Sequence, residues 1–194
     1  MTKGTIFEQE LKQRIAQNTL SGFYFFHGSE NYLKIHYVQQ IAEKCVSQDF
    51  AGFNLHRFDG QNVSIDDIAE AVNALPLFSE KSCVIVHDLP IYSLGKNQFK
   101  KLTDLAEDTP DYCVFILLMD TVVRKQARAK KDETESEESD SETVKEAETS
   151  DDEPLKVNPW DELLKIAQSK NRVIELNSRS DSQLMDLLKR GAQQ

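Results

Sequence analysis

The stretch Gly22-Phe-Tyr-Phe-Phe-His27-Gly28-Ser-Glu-Asn-Tyr-Leu-Lys34-Ile35 decides how the rest of the chain is read. Its first half is a short, bulky run between two glycines, which suits a strand covered on both faces. Its second half opens a helical period over residues 30–47, with Leu33, Val38, Ile41, Ala42 and Cys45 as the apolar stripe. Strand, glycine-led loop and helix in that order raise the question of a phosphate-binding loop. That motif, G-x-x-x-x-G-K-[ST], needs glycines for close backbone approach, lysine for the phosphates and a hydroxyl for magnesium. Gly28 and Lys34 fall in register, but Leu33 replaces the second glycine and Ile35 the hydroxyl. Glu30 adds a carboxylate where the anion would sit, although an acid is favourable at a helix N-terminus that holds no phosphate. Ser29 and Glu30 are expected to cap the helix themselves over an empty site.

Outward from this unit the pattern repeats. Residues 6–17 place Ile6, Phe7, Leu11 and Ile15 on one helical face. Phe53, Leu55 and Phe58 mark a second strand, closed by the turn Asp59-Gly60. Ser64, with Asp67 three residues on, is placed to cap a helix running to Ala74. A strand over 83–87, a helix over 96–106 and the most apolar strand, 113–119, follow. Later come a helix over 159–169 opened by Pro159, a strand over 172–176 and a helix over 181–190. Trp160 is expected to anchor its helix on the sheet. Five strands separated by helices imply an α/β fold with a five-stranded parallel, doubly wound sheet. Ligands of such sheets sit beyond the carboxyl ends of the strands.

Charge is concentrated in one place. The 194 residues carry a net charge of −10, yet segment 132–153 alone holds twelve acids and one lysine. The remainder is close to neutral, so the folded part is not broadly basic in the manner of many non-specific DNA binders. With seven Ser or Thr and no aromatic, 132–153 cannot bury enough surface to offset its chain entropy. It reads as a disordered insertion. The longest apolar run, 112–119, is eight residues and cannot cross a bilayer core of ~30 Å. The start has no apolar h-region of a signal peptide. Cys45, Cys83 and Cys113 lack CxxC spacing and read as buried thiols of a reducing cytosol.

No catalytic constellation emerges. Asp88, ending the run Val84-Ile-Val-His, resembles the aspartate that holds magnesium in phosphate-loop NTPases, but Leu89 follows it where a hydrolase needs glutamate. A turn or cap role is the simpler reading. His27, His36, His56 and His87 have no metal-ligand spacing, so no metal is expected. Arg124, Lys125 and Arg128 head a basic run, 124–131, that either contacts DNA phosphates or ends a solvated helix beside the acids. The last candidate is Leu75-Pro76-Leu77-Phe78. The residue before a proline leaves the α region, so the helix stops near Leu75 and Leu77 and Phe78 sit at a stiff tip. They either tuck into the core or project as an anchor for a partner's pocket. Physics of the sequence leaves both open.

Three stretches together resemble one family: Phe25-Phe-His-Gly-Ser-Glu-Asn-Tyr-Leu33, Phe58-Asp-Gly60, and residues 68–81 leading to Val84-Ile-Val. They are similar to the N-terminal domain of the delta subunit of bacterial DNA polymerase III, over about 22–120 and again from Trp160. The resemblance implies a RecA-like AAA+ P-loop fold with a degenerate nucleotide site at Gly28, Glu30, Lys34 and Asp88. It implies no cofactor and no ATP hydrolysis. It gives Leu77 and Phe78, supported by Leu75 and Pro76, the role of a wedge that binds the sliding clamp and helps open the ring. Domain 1–178 would carry this role, interrupted by the insertion at 132–153, which the family does not generally have. Residues 179–194 would begin the lid, making the chain an N-terminal fragment. The expected partners are the clamp (beta subunit), other loader subunits and DNA within the complex, in the cytoplasm and away from membranes. The rival expectations are an active nucleotide switch or NTPase using Lys34 and Asp88, and a DNA-binding module using 124–131.

Overall fold

The computed structural model describes residues 4–120 and 157–177. The basic run with Arg124, Lys125 and Arg128, the acidic segment 132–153, and the helix and lid start expected after 178 lie outside the described residues. In chain order the elements are β1 (Thr5–Ile6), α1 (Glu8–Ala16), β2 (Gly22–His27) and α2 (Asn31–Cys45). A 3-10 turn (Gln48–Phe50) then leads into α3 (Ala51–Asn54), β3 (Leu55–Asp59) and α4 (Ile65–Asn73). The described part finishes with β4 (Ser82–His87), α5 (Lys96–Glu107), β5 (Cys113–Leu118), α6 (Pro159–Ser169) and β6 (Val173–Glu175).

The strands form one parallel sheet in the order β1-β6-β2-β5-β4-β3. It has six strands, not five. The extra one is β1, whose Thr5 and Ile6 pair with Val173 and Ile174. Ile6 is therefore buried in the sheet rather than on a helix, and Phe7, 62% exposed, leaves the apolar face that α1 builds from Leu11 and Ile15. Phe53 is likewise not in a strand: it is exposed on α3, and β3 begins two residues later.

Side chains alternate across the sheet, so β2 feeds two cores. Phe23 and Phe25 join α4, α5 and α6 on one face, while Tyr24 and Phe26 join α1 and α2 on the other. Every residue of β2 and β5 is buried, as a central parallel strand requires. Ser64 caps α4 as its spacing indicated, accepting the Asp67 N–H at 3.1 Å while the Asp67 carboxylate accepts from the Ser64 N–H. Trp160 is fully buried on α6, its ring edge-on to Phe25 at 5.1 Å. It ties that helix to the sheet as expected. Cys45, Cys83 and Cys113 are free and buried. Burial pushes the Cys45 and Cys113 thiols up to about 11 and raises Cys83 well above its ordinary value.

Candidate functional site

The register aligns the carboxyl ends of the central strands: Leu118 lies beside both Phe26 and His87, and His27 beside Glu175. Gly28 turns the chain there with φ 122°, and a Cβ on it would lie 2.0 Å from the Leu176 carbonyl oxygen. That carbonyl accepts the Glu30 N–H at 3.0 Å, and the Asn177 side chain accepts the Ser29 N–H at 3.2 Å. The Glu30 side chain makes no cap, and the amides of Ser29 and Glu30 are met by the segment after β6. The capping role expected of the Glu30 side chain is thereby corrected. Amides that would face a phosphate in a binding loop are turned to the chain's own acceptors.

Lys34 follows the same logic. It is 1% exposed, and its Nζ donates to the Met119 carbonyl at 2.9 Å and to Asp120 Oδ1 at 2.7 Å. Asn31 holds the other Asp120 oxygen at 3.1 Å. Asp88, with φ 50°, accepts the Asp120 N–H at 2.8 Å through Oδ1, while its Oδ2 lies 3.4 Å from His87 Nδ1. His87, Asp88 and Asp120 thus offer three ligand atoms within 4.8 Å of one another. The ammonium of Lys34 already supplies a positive charge to that group.

At the opposite, amino-terminal edge of the sheet, α4 ends at Asn73 and the chain turns sharply into β4. Pro76 is half-buried, but Leu75, Leu77 and Phe78 are 73%, 50% and 81% exposed. Of the two possibilities for this tip, the outward one is realised. Phe78 adopts φ 55°, a left-handed conformation costly for a bulky residue. Its surroundings hold it there. Asn54, 1% exposed, donates to the Leu77 carbonyl and accepts the Leu77 N–H, both at 2.7 Å. The Phe50 ring lies 5.6 Å from that of Phe78. Lys81 ties the far side down through the carbonyls of Asn18 and Leu20 at 2.6 and 2.8 Å.

A family model described as DNA polymerase III, delta subunit, matches residues 24–146, well over half of the chain. The chain belongs to that family. Its fold is also that of the Bacillus subtilis DNA clamp loader delta protein, with a TM-score of 0.64 at 18% identity over 92% of this chain. The match takes in 45% of that protein, so the chain spans less than half of its length. A Thermotoga maritima DNA polymerase III gamma subunit-related protein matches with a TM-score of 0.49 at 18% identity, over 95% of this chain and 50% of that one. No curated protein matches the chain. Delta-family membership accords with the parallel α/β architecture and with helices on both sheet faces.

Sequence reasoning singled out Gly28, Glu30, Lys34 and Asp88 as one group, and Lys34 and Asp88 do meet, through Asp120. It missed Asp120, Leu176 and Asn177 at that end, and Asn54 and Phe50 at the other. Asn54 had one signal: a polar residue inside the apolar stretch Phe53–Leu55. The others meet their partners only through the tertiary fold.

Proposed function

We propose that this delta-family chain is the clamp-binding part of a clamp-loader subunit in DNA replication, acting through Leu77 and Phe78. The observation that carries the reading is two large apolar side chains held in water at a braced corner. Burial of each in a partner's pocket contributes about 1.5–3 kcal/mol before the costs of association. A wedge of this kind opens a ring only if it binds the open-like clamp more tightly than the closed one. Leu75 and Pro76 stiffen its approach. The subunit does no chemistry of its own; it is accessory to a DNA-directed DNA polymerase, a nucleotidyltransferase. The engaged state of Lys34 and of the Ser29 and Glu30 amides supports a nucleotide site that has lost its ligand, with ATP read elsewhere in the loader. Residues 1–178 form the clamp-binding domain with an acidic insertion at 132–153, and 179–194 begin the lid. Other loader subunits and DNA, the latter near Arg124, Lys125 and Arg128, are met in the assembled cytoplasmic complex.

The test is a clamp-binding titration with the double variant Leu77→Ser, Phe78→Ser. Loss of both anchors is expected to weaken binding by more than about 100-fold, since each 1.4 kcal/mol is a factor of ten. Melting temperature should stay nearly constant, because both side chains are already in solvent. Wild-type affinity in the double variant would refute the wedge.

A further inference from the structure

We infer that the segment 48–54 is the positioning half of the wedge, with Asn54 fixing the Leu77 backbone and Phe50 carrying the Phe78 ring; this rests on the clamp-binding reading above. Asn54 is a buried polar side chain whose carboxamide is spent on one residue, matching both its N–H and its C=O. The partner residue lies 23 positions away in an exposed loop, so the pair links α3 to the corner rather than stabilising a local turn. A buried carboxamide facing a loop backbone selects one conformation, because any other leaves its donor and acceptor unsatisfied. The conformation selected is the one in which the next residue, Phe78, takes the left-handed φ of 55° and points outward. Phe50 is half-buried, and its ring stacks at a tilt of 31° against Phe78, giving the exposed aromatic a rest position on the protein surface. Neither residue is needed for the pair to be apolar. Both are needed for the pair to be ready.

Pre-organisation has a kinetic signature different from contact. Where only a fraction of molecules is binding-competent, the apparent Kd rises by the inverse of that fraction. The deficit falls on association, because once docked the pocket itself holds the wedge. Direct contacts act mainly on dissociation. The experiment is surface-plasmon kinetics of the chain on its sliding clamp, with Asn54→Ala, Asn54→Asp and Phe50→Ala beside the Leu77→Ser, Phe78→Ser control. Asn54→Ala is expected to slow association about tenfold, with dissociation within twofold of wild type. Asn54→Asp sets a buried carboxylate oxygen against the Leu77 carbonyl where the amide N–H stood, and should slow association at least as much as Asn54→Ala. Unchanged association rates in Asn54→Ala and Phe50→Ala overturn the inference. So does faster dissociation at unchanged association, which would make these residues contacts. If Asn54→Ala does not fold, Phe50→Ala, at a half-buried position, decides by the same criterion. A control that binds like wild type overturns the wedge itself, and with it the positioning role; a control that fails while the 48–54 variants bind normally overturns only the latter.

Discussion

A buried lysine whose ammonium lies 2.7 Å from a carboxylate and 2.9 Å from a carbonyl has two of its three N–H donors taken and its charge matched. Those bonds make Lys34 a strut between α2 and the end of β5, which supports the proposed reading of a nucleotide site without its ligand. Removing it leaves Asp120 with only Asn31 and the Met119 carbonyl without its donor. Lys34→Met is expected to destabilise the chain by on the order of 1–3 kcal/mol, read from the urea midpoint. In parallel, calorimetry with Mg-ATP should give no heat of binding for either protein. Micromolar binding by wild type that disappears in the variant would reinstate the active-switch reading. The local sequence revealed the faults at Leu33, Ile35 and Glu30, because a motif is a statement about neighbours along the chain. It could not reveal Asp120, which is 86 positions away and meets Lys34 only because β2 and β5 are adjacent strands.

Elements were legible where they carry a period. α6 spans residues 159–169 as read, and α4 starts where Ser64 and Asp67 place it, because capping chemistry is local. Two residues have no period, so β1 could not be seen; it exists because β6 offers a free edge to Thr5 and Ile6. Phe53 and Leu55 alternate like a strand, yet Asn54 between them is drawn inward to Leu77 and the backbone coils into α3 instead. The cap on α4 gives a test at this scale. Ser64→Ala removes the acceptor for the Asp67 N–H and the donor to its carboxylate, and should cost about 1 kcal/mol in urea unfolding. Ser64→Thr should recover most of the loss, since its hydroxyl can both accept the Asp67 N–H and donate to the Asp67 carboxylate. An unchanged midpoint in Ser64→Ala would mean that packing of Ile65 and Ile68 alone fixes the helix start.

Over the whole fold, the parallel sheet separates two edges with different chemistry. At the carboxyl edge, where ligands of such sheets sit, the Ser29 and Glu30 amides and the Lys34 ammonium are bonded to the chain itself, and the outward-facing apolar corner lies at the amino edge. That division was legible only in part: the filled loop could be suspected from Glu30, but whether Leu77 and Phe78 point out depends on which neighbours brace them. The core between the edges can be probed through its thiols. Cys45 sits on α2, Cys83 on β4 and Cys113 on β5, all buried. Burial raises each folded-state pKa, to about 11 for Cys45 and Cys113, from the ordinary value of 9.0. A raised thiol holds its proton in the native state while the unfolded chain loses it. Stability is therefore unaffected below pH 9 and falls as pH rises from about 9 towards 11, by on the order of 2 kcal/mol per thiol at the upper end. Urea midpoints between pH 8 and 10.5 should decline accordingly, and the slope should be shallower in Cys45→Ala. At pH 7.5 the native chain should resist maleimide and label at all three positions once unfolded. Rapid labelling of Cys83 in the native chain would show that the sheet opens at β4, which a strand buried between two helical layers does not permit.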